Sequence, residues 1–237
     1  MKITLEPKEI KWGIPFLKRI DLRYLVLLIF FFCSSSFVKA QELPNKMWHP
    51  GLVVTNEGDT LRGNLKYEFK NNIVQLAHEE GKLKAFSAQQ LLLISFHCQF
   101  FKRFRYFYAL PYNVGGGAIK TPILFEILVE GPITLMSREY VVLNNNFNDF
   151  NSPFSRSSYR GNRNATYELT YEYFFLTDNG DIVRYNKKKR ELLQFFGQYK
   201  KQVESYMKDN RLKSDRQIDI IKATEFYNNL VNPPKYE

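Results

Sequence analysis

The residues that could do chemistry are few and scattered. Three histidines, His49, His78 and His97, stand apart in the chain, and no C-x-x-C or H-x-x-x-H spacing is present to ligate a metal ion. A hydrolytic site would have to be assembled across the fold, with His97, Asp59 and Glu130 as its candidate members. His97 and Cys98 are neighbours, and adjacent side chains of a strand point to opposite faces, so they cannot serve each other as base and nucleophile. Cys98, in an apolar context, reads as core filler. The run Gly115-Gly116-Gly117-Ala118-Ile119-Lys120-Thr121 ends like a phosphate loop, but that motif needs glycine where Ile119 and Val114 stand. Pro122 and an extended pattern also replace the helix whose N-terminus would hold the anion. Asp59-Thr60-Leu61 has leucine where the aspartic-protease triplet needs glycine, and there is no second copy. The expectation is a non-enzymatic binding module without a cofactor or metal, with an enzyme built from dispersed residues as the alternative.

Two stretches could bind a partner. Phe101-Lys102-Arg103-Phe104-Arg105-Tyr106-Phe107-Tyr108 interleaves bases with aromatics, the composition of a single-strand nucleic-acid groove. As a strand, it is expected to turn Phe104, Tyr106, Tyr108 and Leu110 inward and Arg103 and Arg105 outward. Residues 144–166 hold seven asparagines and four serines with Arg156, Arg160 and Tyr159, and read as one long loop, either disordered or functional. Arg103, Arg105, Arg156, Arg160 and Tyr159 are therefore the candidate binding residues, for an envelope protein or for an anionic glycan or lipid headgroup steered by charge. Lys187-Lys188-Lys189-Arg190 opens a helix, where the macrodipole disfavours cations, and adds to the case for an anionic partner.

The elements that must position these residues begin after the first forty. Lys18, Arg19 and Arg23 precede the apolar run Leu25 to Phe32, which is followed by Ser34-Ser35-Ser36 and then Val38-Lys39-Ala40. That is the order of a secretory signal, with Val38 and Ala40 as the small residues before cleavage between Ala40 and Gln41. The alternative, an uncleaved membrane tether, has only the stretch from Leu25 to Val38, interrupted by serines, where spanning takes roughly 20 residues. Cys33 follows Phe32 rather than a small residue, which argues against a lipidated cysteine. The expected locations are the periplasm, the outer-membrane surface or the medium, with membrane contact through the signal alone.

Export changes the meaning of the charge. The 237 residues carry 34 Lys and Arg against 24 Asp and Glu, a formal +10. Losing residues 1–40 removes seven of the basic and three of the acidic residues, which leaves +6 and weakens a nucleic-acid reading. One cysteine, Cys98, then remains, so no internal disulfide is possible and stability must come from packing.

Residues 41–186 read as a β-rich domain. Leu61, Leu65, Tyr67 and Phe69 alternate with Arg62, Asn64, Lys66 and Glu68, the pattern of a half-buried antiparallel strand. Gly51 to Thr55 before it, across the turn residues Asn56-Glu57-Gly58-Asp59, predicts a hairpin. Short strands follow at Ile73–Leu76, Lys82–Phe86, Leu91–Phe96, Phe125–Glu130, Ile133–Met136, Tyr171–Leu176 and Ile182–Tyr185, an antiparallel sandwich or partly open barrel. From residue 187 the period changes. Leu192, Phe196, Tyr199, Val203 and Tyr206 predict one helix of about five turns, and a second helix runs from a capping box at Ser214 and Gln217 to Pro233-Pro234. The fold class is α+β, with residues 187–237 a helical hairpin laid on the sheet.

The residues Trp48, Gly51-Leu52-Val53-Val54-Thr55-Asn56-Glu57-Gly58-Asp59-Thr60-Leu61-Arg62-Gly63, Phe86-Ser87-Ala88 and Leu128-Val129-Glu130-Gly131, with a basic helix near the end, carry a likeness over most of the chain after the signal. The chain resembles an uncharacterised family of exported β-rich proteins of Bacteroidetes bacteria. That resemblance implies a cell-envelope location and no catalytic residue. Asp59-Thr60-Leu61 is also similar to the D-[ST]-apolar acceptor of O-glycosylation in those bacteria.

Overall fold

A computed structural model describes residues 44–68, 70–78, 81–114, 119–144 and 166–233. They belong to one compact unit, Glu42–Glu237. The expected cleavage site at Ala40 and Gln41, and the candidate residues Arg156, Arg160 and Tyr159, lie outside the described residues.

The expected strands form: β1 (His49–Thr55), β2 (Thr60–Glu68), β3 (Ile73–Ala77), β4 (Leu83–Ser87), β5 (Leu91–Cys98), β6 (Arg103–Tyr112), β7 (Thr121–Val129), β8 (Thr134–Asn144), β9 (Thr166–Leu176) and β10 (Ile182–Tyr185), but β7 begins before Phe125, β8 runs on past Met136 and β9 begins before Tyr171. Together they form one antiparallel sheet in the order β10-β9-β8-β7-β6-β5-β1-β2-β3-β4. β1 to β4 make a meander, β5 returns to pair with the other side of β1, and β5 to β10 make a second meander. β4 and β10 are the two edges, so the sheet is not closed into a barrel.

Instead the sheet folds over its own inner face. Asn72, in the β2–β3 turn, accepts the Leu124 N–H of β7 on its Oδ1 at 3.3 Å, and its carbonyl accepts the Ala88 N–H at 3.1 Å. Leu124 of β7 is therefore buried in one cluster with Val53, Leu65, Tyr67, Val74, Leu76, Ile94 and Phe96, and Leu169 of β9 packs against it. Burying each large apolar side chain of this kind is worth about 1.5–3 kcal/mol, which is what holds the two halves together; Cys98, in the same cluster, is a free thiol. Within the sheet, paired strands approach closely at two glycines. Gly51 stands directly opposite Gly63, and a Cβ on either would lie 2.3 Å from a neighbouring strand's carbonyl oxygen, that of Ser95 or of Ala77.

Three helices follow, α1 (Lys189–Phe195), α2 (Lys200–Asp209) and α3 (Gln217–Val231). They cover the sheet end at β8–β10, where Leu192, Phe196, Val203, Met207, Ile220 and Ala223 meet Leu135, Tyr173, Phe175 and Tyr185 in a second cluster. A third cluster, Ile123, Phe125, Met136 and Phe174, lies on the opposite face of β7–β9.

Three expectations are corrected. The single five-turn helix is two helices, because Gly197 takes φ +47° and a short 3-10 turn, Gly197–Tyr199, intervenes; the apolar stripe continues through it, so periodicity alone could not see the break. The Ser214 and Gln217 capping box does not form. Ser214 Oγ donates to the Lys187 carbonyl, and Asp219 instead accepts the Lys213 N–H, at 3.0 Å. In β6 the faces are reversed: Arg105 and Phe107 are buried, whereas Phe104 is 60% exposed and Tyr106 50%. Alternation says which residues share a face, not which face is inside, and two buried carboxylates draw Arg105 inward.

A candidate binding cleft beside strand β8

β7 and β8 separate early. Their register runs only from Glu126 opposite Ser137 to Val129 opposite Leu135, while β8 stays paired with β9 as far as Asn144. The Leu124 N–H points away from β6, to Asn72, and Glu126, two residues on, keeps that direction and meets Ser137. Backbone groups alternate along an antiparallel strand, so Glu139 and Val141 turn their N–H and C=O groups toward the side β7 has left, while Tyr140 and Val142 turn theirs to β9.

Two adjoining clefts run beside this free edge. The larger, about 610 Å³, is lined by Lys46, Lys66, Glu68, Lys70, Gln75, Tyr140 and Val141. The smaller, about 230 Å³, shares Lys70 and Tyr140 with it and adds Arg138, Glu139 and Glu172. Both volumes together are within the range of ligand sites. Three lysines face one glutamate in the larger cleft, and in the smaller one Glu172 is paired with Arg184. Lys66 lies 5.9 Å above the Trp48 ring, which is partly exposed.

Beneath the smaller cleft is a buried ion network. Arg105 donates from Nε to Glu126 Oε1 at 2.8 Å and from Nη2 to Glu126 Oε2 and Glu139 Oε1, both at 2.6 Å. Arg103, half exposed, adds a 2.6 Å bond to Glu126 Oε1, and Ser137 Oγ donates to Oε2 at 3.2 Å. The Arg105 cation also rests 4.8 Å from the Phe107 ring centre. Burial works against the charge on Arg105, but the bonds and charges of Glu126 and Glu139 outweigh it and hold its proton above the ordinary range. The two carboxylates diverge. Burial alone would raise Glu126, yet Arg105 and then Arg103 bring it below the usual carboxylate range. Burial raises Glu139, and its single bond from Arg105 does not compensate. Glu139 Oε2 and Arg138 Nε are buried without a hydrogen-bond partner.

The structure thus brings Arg103 and Arg105 together, but in a network rather than on an outer binding face. Arg105 is removed from the surface candidates because its guanidinium is 1% exposed and spent on Glu126 and Glu139. His97 lies on β5 against the edge of the Phe104 ring, Asp59 in the β1–β2 turn and Glu130 in the β7–β8 turn; they share no hydrogen bond among the described residues. His49 is a structural pin: its Nε2 lies 3.1 Å from the Pro44 carbonyl, its Nδ1 accepts the Gln99 N–H, and burial lowers its pKa. Among the described residues no group of three or more His, Cys, Asp or Glu could hold a metal ion, and no helix is long and apolar enough to cross a membrane.

Sequence reading missed Lys46, Lys66, Lys70, Arg138, Glu139 and Tyr140. Lys66 sits on the polar side of a clean alternation, which marks it only as solvent-facing. Nothing local announces that β2 will stand near β8. Comparison with protein families, with curated proteins and with solved structures finds no match.

Proposed function

We propose that this protein is a non-enzymatic binding module of the cell envelope, and that the cleft beside β8 takes an anionic ligand. The observation that carries the reading is the charge of that cleft: Lys46, Lys66 and Lys70 converge with Tyr140 around about 610 Å³ against the single carboxylate of Glu68. Cations gathered on a concave wall attract an anion and lose little to solvent screening once it is seated. The envelope location is supported by the signal-like order of residues 18–40 and by the likeness to exported Bacteroidetes proteins. The ion network serves the site by fixing β6, β7 and β8, with Glu126 bonded to two arginines and Ser137.

Charge reversal tests the reading. Lys66→Glu with Lys70→Glu should weaken the binding of acidic oligosaccharides and acidic peptides at least tenfold, measured by fluorescence anisotropy, with an unchanged circular dichroism spectrum. Lys66 and Lys70 side chains are not in the core, so the fold should survive. Undiminished binding by the double variant would overturn the assignment of the cleft.

A further inference from the structure

We infer that the ligand of this cleft is an extended polypeptide segment bearing carboxylates, which adds to the sheet as a strand along the free edge of β8. The inference rests on the proposal of an anion-binding cleft and names the chemical class of its occupant.

The backbone carries the argument. A sheet edge with unpaired N–H and C=O groups is a template for another strand, and main-chain hydrogen bonds with alternate side-chain pockets are how such an edge recognises a peptide. Here the edge is internal. β7 is adjacent to β8 in the sheet order yet leaves it after Ser137, and its own freed Leu124 N–H is taken by Asn72. The Leu124 N–H on the β7 side of the gap is thus paired, whereas the β8 side faces the clefts, with Glu139 lining the smaller and Val141 the larger. Arg138 to Val142 spans about 14 Å at roughly 3.4 Å per residue, enough to pair with a segment of about five residues.

The side chains agree with the backbone. A strand laid along β8 would present alternate residues toward Lys46, Lys66 and Lys70, which selects carboxylates there. Glu139 and Arg138 both line the smaller cleft, and each has a buried polar atom, Glu139 Oε2 and Arg138 Nε, without a hydrogen-bond partner. A peptide supplies both N–H donors and C=O acceptors at close spacing. An acidic saccharide satisfies the lysines equally well but has no regular ladder to offer the edge.

The test uses the full chain and a fluorescein-labelled heptapeptide of alternating valine and glutamate. The expected result is saturable binding that falls at least tenfold when alternate peptide amides are N-methylated on one edge. It should fall comparably with Val141→Pro, which removes an edge N–H, a position where proline is tolerated in a strand. The N-methylated peptide is applied to the unmodified protein, so the result does not depend on that variant folding. Equal binding of the N-methylated peptide overturns strand addition. So does preferential binding of an oligogalacturonate with none of the peptide, although this leaves the anionic cleft standing. Binding of neither probe overturns both.

Discussion

Arg105 is the residue on which the interior turns. A guanidinium that is 1% exposed must be paired, and the three strands β6, β7 and β8 meet at its bonds to Glu126 and Glu139. Glu126→Gln leaves that cation short of its main partner and should cost about 3–5 kcal/mol at pH 7, whereas Glu139→Gln should cost well under half as much, since Arg105 keeps both oxygens of Glu126. The pH dependence separates the two further. Glu126 is lowered in the folded state, so its stabilisation is present above its unfolded pKa and is lost as the pH falls through the folded value; the cost of Glu126→Gln should shrink on acidification. Glu139 is raised, so its contribution is greatest below its unfolded pKa and fades as the pH rises through the folded value; the cost of Glu139→Gln should shrink toward neutral pH instead. Urea unfolding from about pH 2.5 to pH 8 reads both trends, and parallel trends in the two variants would contradict the network. The sequence offered Arg105 as an outward base, because the carboxylates that bury it lie 21 and 34 residues away.

At the scale of elements, most of the fold could be read in advance. The alternation from Leu61 to Tyr67 and the turn chemistry of Asn56 to Asp59 are local, and they gave the β1–β2 hairpin correctly. The helix docking was not legible, since it depends on one side chain. Asn228 of α3 accepts the Ile133 N–H at 3.1 Å and donates to the Ile133 carbonyl at 2.9 Å, so its amide stands in for a neighbouring strand at the β7–β8 turn. In the sequence it is one of two asparagines late in a helix and carries no signal. Asn228→Ala should leave both Ile133 backbone groups buried without partners and destabilise the protein by about 2–4 kcal/mol in urea unfolding. A loss below about 0.5 kcal/mol would show that apolar packing alone seats α3.

At the scale of the molecule, the decisive feature is a sheet that folds over itself without closing. The α+β class and the antiparallel order follow from short strands, turns and a late helical period. The seam does not, because it arises where the Asn72 turn meets β7 across 52 residues of chain. Sequence-local reasoning points to an arginine strand and to an asparagine-rich loop whose candidates Arg156, Tyr159 and Arg160 lie outside the described residues, and it does not see the basic cleft between β2 and β8. The peptide reading of that cleft depends on β8 having a free edge. Amide hydrogen exchange followed by NMR on the unliganded protein tests it most directly. The Val141 amide should exchange at least tenfold faster than those of Tyr140 and Val142, which are held by β9, and should become protected when the acidic peptide is added. Equal protection of all three amides before any ligand is added would mean that β8 is already paired on both sides, and would contradict the account.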